Sequence, residues 1–346
     1  MDLNERIEAF NKLGEFFRDF SPNSLLDEYS KNLFDIVQND YIYNPWFTSE
    51  NIIQSVKALG ESLQRNKIDC WINKYSNFNL STPKRVGVIT AGNIPLVGFH
   101  DFLTVLISGN IFKGKLSSKD NRLFKFVSDF LIEFNCEFSD LILFTEDKLE
   151  DFDAIIATGS NNTARYFEYY FGKYPNIIRK NRSSVAVLTG EESKSDIKKL
   201  GVDIFSYFGL GCRNISKLFV PKDYCFDAFF ENIESFQKVY QHNKYANNYD
   251  YNKSVYLMNQ IQHYDNGFLI LKEDENFSSP IGVVFFEYYD DITKVNNLLK
   301  ANDELIQCVV SRSELIRNSL YFGKAQEPEL WDYADNVDTL EFLLSL

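Results

Sequence analysis

The sequence predicts an α/β protein with a helical start, a doubly wound parallel sheet wrapped by helices, and a second, smaller α/β unit. Three observations lead there. Apolar residues recur at helical spacing through residues 1–75. From Lys84 short β-branched runs alternate with helical stretches over about 120 residues, the pattern of a parallel sheet with crossover helices. After Cys212 the alternation resumes as a second unit.

The helical start is read from Leu3, Ile7, Phe10 and Phe17, then Leu25, Leu26, Tyr29, Leu33 and Ile36, then Ile52, Val56, Leu59 and Leu63. Pro45 separates the second and third helices. Residues 85–90 read as a buried strand ending in the turn Ala91-Gly92-Asn93. A helix is expected over 94–108, with Pro95 in its first turn and Gly109 as its stop. Strands follow at 111–116, 141–144, 154–157 and 184–188, with helices at 121–134, 160–172 and 193–206. Open parallel sheets bind ligands at the loops after their strands, which singles out Thr90–Asn93, Lys115–Ser118 and Thr158–Thr163. Beyond Cys212 the reading is strand 217–220, helices 225–240 and 250–262, strands 267–271 and 281–286, helix 290–300, strand 306–311 and helix 312–319. The expected division is 1–200, 201–320 and a tail, 321–346, that returns to the first domain or packs on a partner subunit.

Composition narrows the function. A length of 346 residues suits two domains better than one core. The net charge of −13 disfavours nucleic acid as a partner, since phosphate backbones are repelled. Cys70, Cys136, Cys212, Cys225 and Cys308 are odd in number and contain no CxxC pair, which argues against a disulfide framework or a zinc site and for a reducing cytoplasm. The first residues lack an apolar signal core, and no apolar run approaches the roughly 20 residues of a membrane span. His100, His242 and His263 are the only histidines, and none is near Cys212 in sequence. The aromatic run Tyr166–Phe171 reads as core rather than as an acyl tunnel.

Cys212 differs from the other cysteines in its setting. It sits in a Gly-rich turn, Gly209-Leu-Gly-Cys212, between a helix and a strand, where glycines permit tight bends and close ligand approach. Arg213 is adjacent, and a cation favours thiolate. The run Gly209-Leu-Gly-Cys-Arg-Asn-Ile-Ser-Lys-Leu-Phe-Val220 resembles the catalytic-cysteine segment of the aldehyde dehydrogenase superfamily, with Lys217 at the basic position five residues on. Thr90-Ala-Gly-Asn-Ile-Pro95 resembles its Pro-Trp-Asn-Phe-Pro run. Ser108–Ser118 resembles its Gly-Asn-x-x-x-x-Lys-Pro-Ser segment, and Ala157-Thr-Gly-Ser160 its Thr-Gly-Ser turn. The likeness covers about residues 84–220 and is nearest to the LuxC-type acyl-CoA reductases, which supply aldehyde to bacterial luciferase.

The resemblance implies an aldehyde-dehydrogenase-like fold and a cytoplasmic enzyme that reduces an acyl thioester to an aldehyde. Cys212 would be the nucleophile and Asn93 an oxyanion donor. Thr90, Ala91, Gly92, Lys115, Ser117, Ser118, Gly159, Ser160, Thr163, Thr189 and Gly190 would hold the cofactor, NADPH by resemblance and NADH as the second choice. Partners implied are acyl-CoA or an acyl-carrier thioester, an acyl-transferring protein, and a further copy of the chain. Alternatives are an aldehyde-oxidising or acyl-phosphate-reducing dehydrogenase of the same fold, or a non-catalytic acyl-binding subunit. Two departures stand out. Leu188 is read at the position of the water-activating Glu, with Glu191 and Glu192 close by, so hydrolysis is expected to be slow. Asn276-Phe-Ser-Ser-Pro280 is the remnant of the Glu-x-Phe-Gly-Pro segment that touches the nicotinamide ribose.

Overall fold

Helix α1 (Leu3–Asp19) starts where Asp2 and Glu5 form a reciprocal capping box, and it buries Ile7, Phe10, Leu13 and Phe17 along one face. α2 (Glu28–Asn39) and α3 (Ser49–Ser62) are capped by Asp27 and Thr48, and α4 (Arg65–Ile72) follows. The computed structural model describes residues 1–24, 27–76, 78 and 82–346. The expected helical positions Leu25 and Leu26 lie outside the described residues.

The chain divides into two units, Met1–Lys180 with Pro328–Leu346, and Asn181–Glu327. In the first, strands β1 (Arg85–Ile89), β2 (Ile111–Lys115), β3 (Ile142–Phe144), β4 (Ala154–Thr158) and β5 (Asn176–Arg179) form a parallel sheet ordered β3-β2-β1-β4-β5. The order reverses between β1 and β4, the kind of switch point at whose carboxyl ends open parallel sheets bind ligands. Helices α5 (Phe99–Ser108), α6 (Arg122–Phe134), α7 (Phe138–Leu141) and α8 (Asn161–Phe171) connect the strands. α5 is buried almost all round, and its core partners include Phe10, Phe112 and Phe124. It ends at Gly109, whose φ of +89° strains any residue with a side chain and whose Cβ position faces the Arg6 guanidinium. α5 begins at Phe99, not at Ile94 as the sequence suggested. Leu96 has φ +56°, so 94–98 is a turn rather than a first helical turn.

In the second unit, β6 (Ser183–Val187), α9 (Lys194–Phe205), β7 (Ile215–Pro221), α10 (Asp227–Ile233), α11 (Asn243–Met258), β8 (Tyr264–Asp265), β9 (Ile270–Glu273), β10 (Val283–Tyr289), α12 (Ile292–Ala301) and β11 (Ile306–Ser311) build a sheet ordered β11-β6-β7-β10-β9-β8. It is parallel except at the β8·β9 edge. The division falls earlier than the expected one after residue 200, because β6 pairs with β7 and β11. Residues 312–319 form turns, not the expected helix; Asn318 is left-handed at φ +57°. The chain then returns to the first unit as α13 (Thr339–Leu344), which packs on α5. Among the described residues no helix is long and apolar enough to cross a membrane.

Candidate active site

Three turns meet at the carboxyl edge of the first sheet, because β2, β1 and β4 are parallel neighbours. After β1, Thr90 donates its backbone N–H to the Lys115 carbonyl at 3.3 Å, and its hydroxyl accepts from Ser117 N–H at 3.2 Å. Gly92 lies so close to this turn that an added Cβ would fall 2.4 Å from Ser117 Oγ. Asn44 donates to the Gly92 carbonyl at 3.1 Å, and the fully buried Asp120 accepts from Leu96 N–H at 2.8 Å. Burial pushes the Asp120 carboxyl well above the usual carboxylate range. Lys115 Nζ donates to the Asp147 carbonyl at 3.0 Å. Ser160 caps α8 by accepting from Thr163 N–H at 3.2 Å, beside Gly159. Thr90, Ala91, Gly92, Asn93, Lys115, Ser117, Ser118, Gly159, Ser160 and Thr163 therefore share one sheet edge.

Cys212 lies in the second unit, solvent-exposed, in the loop that enters β7. This loop is strained. Tyr207 (φ +51°), Phe208 (φ +59°) and Gly209 (φ +78°) are left-handed in succession. Non-glycine residues in that region cost about 1–3 kcal/mol each and persist only where surrounding bonds over-determine them. Asn214 supplies such bonds. It is buried, its Oδ1 accepts from Gly211 N–H at 2.8 Å, and its Nδ2 donates to the carbonyls of Asp203 at 3.0 Å and Ser206 at 2.9 Å. Ser184, fully buried on β6, donates to the Cys212 carbonyl at 2.9 Å. Arg213 Nε donates to the Ala325 carbonyl at 2.6 Å. Asp203 accepts from Gly323 N–H at 2.6 Å and Ala325 N–H at 3.0 Å, and burial pushes its carboxyl up to about 6.

Two sequence readings are corrected here. β6 and β7 run parallel, and Ser184, at the amino end of β6, is the residue that reaches Cys212. Leu188 lies four residues further along, roughly 13 Å away at strand rise, at the opposite edge of this sheet. It is buried and donates its N–H to Phe219 O. Leu188, Glu191 and Glu192 therefore do not serve Cys212, and the register that placed the water-activating position at Leu188 does not hold. Thr189 and Gly190 lie at that same opposite edge. The Glu192 carboxylate accepts from Thr189 N–H at 2.7 Å, from the Thr189 hydroxyl at 2.8 Å and from Gly190 N–H at 3.0 Å. These donors are used within the turn, which belongs to the second unit and not to the first sheet's edge.

Other residues emerge only in three dimensions. Lys217 is fully buried and donates to the carbonyls of Asp274 at 3.1 Å and Glu275 at 2.9 Å and to Glu287 Oε2 at 2.6 Å. Ser216 Oγ donates to Phe277 O at 2.7 Å. β7 thus fixes the loop Asp274–Phe277, in which Glu275-Asn276-Phe277 carries the acid and the aromatic of the Glu-x-Phe pattern. The sequence signal was one residue upstream of the remnant first singled out. His242 packs against Phe208 with ring centroids 4.3 Å apart and the planes tilted by 34°. The run Tyr166–Phe171 splits: Phe167 and Phe171 pack against Leu149 and Ile155, while Tyr166, Tyr169 and Tyr170 are exposed. Beside Gly209 lies a small cleft bounded by Phe205, Phe208, Ser216, Tyr245 and Val283, with about 30 Å³ of free space. That is room for about one water, not for an acyl chain.

No family model and no curated protein matches the chain. Its fold is similar to solved structures. Aldehyde dehydrogenase 21 from Physcomitrella patens, in complex with the reaction product succinate, matches over 100% of this chain and 84% of its own, with TM-score 0.66 and 12% identity. An acetylating aldehyde dehydrogenase from Geobacillus thermoglucosidasius matches over 95% and 86%, with TM-score 0.60 and 12% identity. A mutant propionaldehyde dehydrogenase from the Clostridium phytofermentans fucose utilisation microcompartment matches over 94% and 86%, with TM-score 0.54 and 11% identity. The chain has the aldehyde-dehydrogenase fold.

Proposed function

We propose that this chain is an acylating oxidoreductase that reduces an acyl thioester, acyl-CoA or an acyl-carrier thioester, to an aldehyde through Cys212. The observation that carries the reading is the exposed Cys212 thiol on a strained loop whose neighbours Gly211, Arg213 and Asn214 are each bonded in place. Stored strain at a rigidly held nucleophile is a mark of a functional site. The fold likeness to acylating aldehyde dehydrogenases agrees with it.

The Cys212 thiolate attacks the thioester carbonyl, and the leaving thiol departs to give an acyl-enzyme. Asn93, by its place in the Thr90–Asn93 turn and its likeness to the superfamily's oxyanion residue, would donate to the oxyanion, a contribution of about 3–4 kcal/mol in measured cases. A nicotinamide cofactor suits the first sheet's carboxyl edge, where the turn at Gly92 packs so closely on Ser117 that only glycine fits, and where Lys115 brings a cation to the same edge. When bound in reduced form it supplies hydride. Glu275 adds a carboxylate on the loop fixed by Lys217.

The test mixes the protein with octanoyl-CoA, octanoyl phosphate or octanal in separate arms, with NADPH or NADH, following nicotinamide absorbance and the mass of the Cys212 peptide. Acyl-CoA-dependent oxidation of NADPH and an acyl adduct lost in Cys212→Ala are expected. Turnover with acyl phosphate alone overturns the thioester reading. An intact protein that forms no adduct in any arm is a non-catalytic subunit.

A further inference from the structure

We infer that Asn214 and Asp203 are positioning residues for Cys212, acting as a latch that ties the nucleophile loop to the end of α9 and to the segment 323–325. The inference rests on the reading of Cys212 as nucleophile.

The case is geometric. A Gly-rich loop with three left-handed residues has many alternative conformations, and its own sequence does not select one. Asn214 selects one by using both ends of its amide. Its oxygen takes Gly211 N–H, and its nitrogen takes the last carbonyls of α9 and of the turn beyond, at Asp203, Ile204 and Ser206. Cys212 is thereby clasped between Gly211 and Asn214, three residues apart, and Asn214 N–H also donates to the Gly211 carbonyl at 3.0 Å. One amide cannot be replaced by a smaller side chain without releasing several backbone groups together.

Asp203 extends the latch. Its backbone carbonyl accepts from Asn214, while its carboxylate holds Gly323 and Ala325, and Ala325 in turn accepts from Arg213, the residue after Cys212. This closes a ring of bonds around the loop. The groups that act on the carboxylate are Glu327 and Arg213, with opposite effects. Lys199, one turn earlier on α9, packs its stem against Gly323. An ionised carboxylate accepts N–H bonds more strongly than its neutral form, so the ring is tightest when Asp203 is charged.

The experiment uses the full chain and reads the rate of acyl-adduct formation at Cys212 with octanoyl-CoA, together with iodoacetamide alkylation of Cys212 relative to the exposed Cys70. Asn214→Ala is expected to slow acylation about 100-fold, the scale of an ångström-sized misplacement, while small-reagent alkylation of Cys212 persists. Asp203→Asn, close to isosteric and expected to fold, should remove one acid-side inflection from the acylation profile between about pH 5 and 8. Acylation within about threefold of wild type in Asn214→Ala, or an unchanged profile in Asp203→Asn, overturns the latch. If Asn214→Ala does not fold, Asp203→Asn decides alone. Cys212→Ala separates the two levels: an adduct that survives there removes the nucleophile reading, whereas its loss there with normal latch variants removes only the latch.

Discussion

The Ser184 hydroxyl donates to the Cys212 carbonyl at 2.9 Å while it accepts from the backbone N–H of Cys308 at 3.1 Å. One buried hydroxyl thus joins β6, β11 and the nucleophile loop. Ser184→Ala leaves a carbonyl and an N–H without this partner, a loss of about 1–3 kcal/mol. Urea unfolding should show that loss, and acylation of Cys212 should slow at the same time. Full stability with full acylation rate would show that the bond has no role.

Lys217 makes a second commitment. Its ammonium is fully buried, whereas Glu287 is about one-third exposed. Glu287 can therefore recruit water when its partner is lost, but the carbonyls of Asp274 and Glu275 lose their shared donor. Lys217→Met should destabilise the protein by about 3 kcal/mol. It should also expose residues 274–277 to protease and raise the KM for nicotinamide more than it slows acylation. Lys217→Arg should not rescue, because the planar guanidinium does not fit three ligands placed around a point charge.

What the sequence made legible was local. Gly109 as a helix stop and the buried run at 85–89 follow from side-chain chemistry and spacing, and the helix expected over 160–172 forms with Ser160 as its cap. What it hid was tertiary. Leu188 and Cys212 look close along the motif, yet only the pairing of β6 with β7 shows that they occupy opposite edges. β5 is four residues long, Asn-Ile-Ile-Arg, too short to declare a period. Asn214 reads as an ordinary polar residue, because its partners at 203, 204 and 206 are set by how α9 ends. The turn at 94–98 looked helical because Pro95 suits a first turn, and only the left-handed Leu96 reveals otherwise.

The returning tail depends on a buried ion pair. Arg179 donates to Asp101 at 2.5 Å and to the Thr339 hydroxyl at 3.0 Å, and all three are buried. Removing one charge strands the other in a dry site, at about 3–5 kcal/mol. Arg179→Met should release α13, detected as rapid proteolysis after residue 328 at a temperature where wild type resists. Arg179→Met combined with Asp101→Leu should recover part of the resistance. No recovery would mean that Thr339, not the charge, dominates.

Two buried groups give opposite pH signatures. Burial pushes His100 down, against the raising influence of Leu330 O, Asp101 and Asp332, and Arg179 adds to the lowering. The unfolded chain then holds more protons on this group below about pH 6.5, so stability falls as pH falls through that value. Asp203 is pushed up to about 6 by burial, above its unfolded value. Between about pH 4 and 6 the folded state holds more protons there, so its contribution falls as pH rises through that window and is constant above it. His100→Gln should flatten the acid loss of stability, and Asp203→Asn should steepen the net acid loss between about pH 4 and 6. Thermal midpoints across pH check both signs.

Gly92 and Ser117 offer the sharpest test of the first sheet's edge. A Cβ at position 92 would fall 2.4 Å from Ser117 Oγ, 2.7 Å from Ser117 Cβ and 3.2 Å from Lys119 Cβ. The obstacle is one short side chain on the neighbouring turn, and Thr90 already fastens that turn through Ser117 N–H. Gly92→Ala must therefore push the two turns apart. If they form the nicotinamide cradle, NADPH binding should weaken about tenfold, equivalent to about 1.4 kcal/mol, with Cys212 alkylation unchanged. Ser117→Gly in the same chain removes both nearest atoms and should restore most of the affinity, although the serine's own donor is gone. Titration calorimetry or quenching of NADPH fluorescence reads both variants. Equal affinity in wild type and Gly92→Ala would mean that these turns do not hold the cofactor.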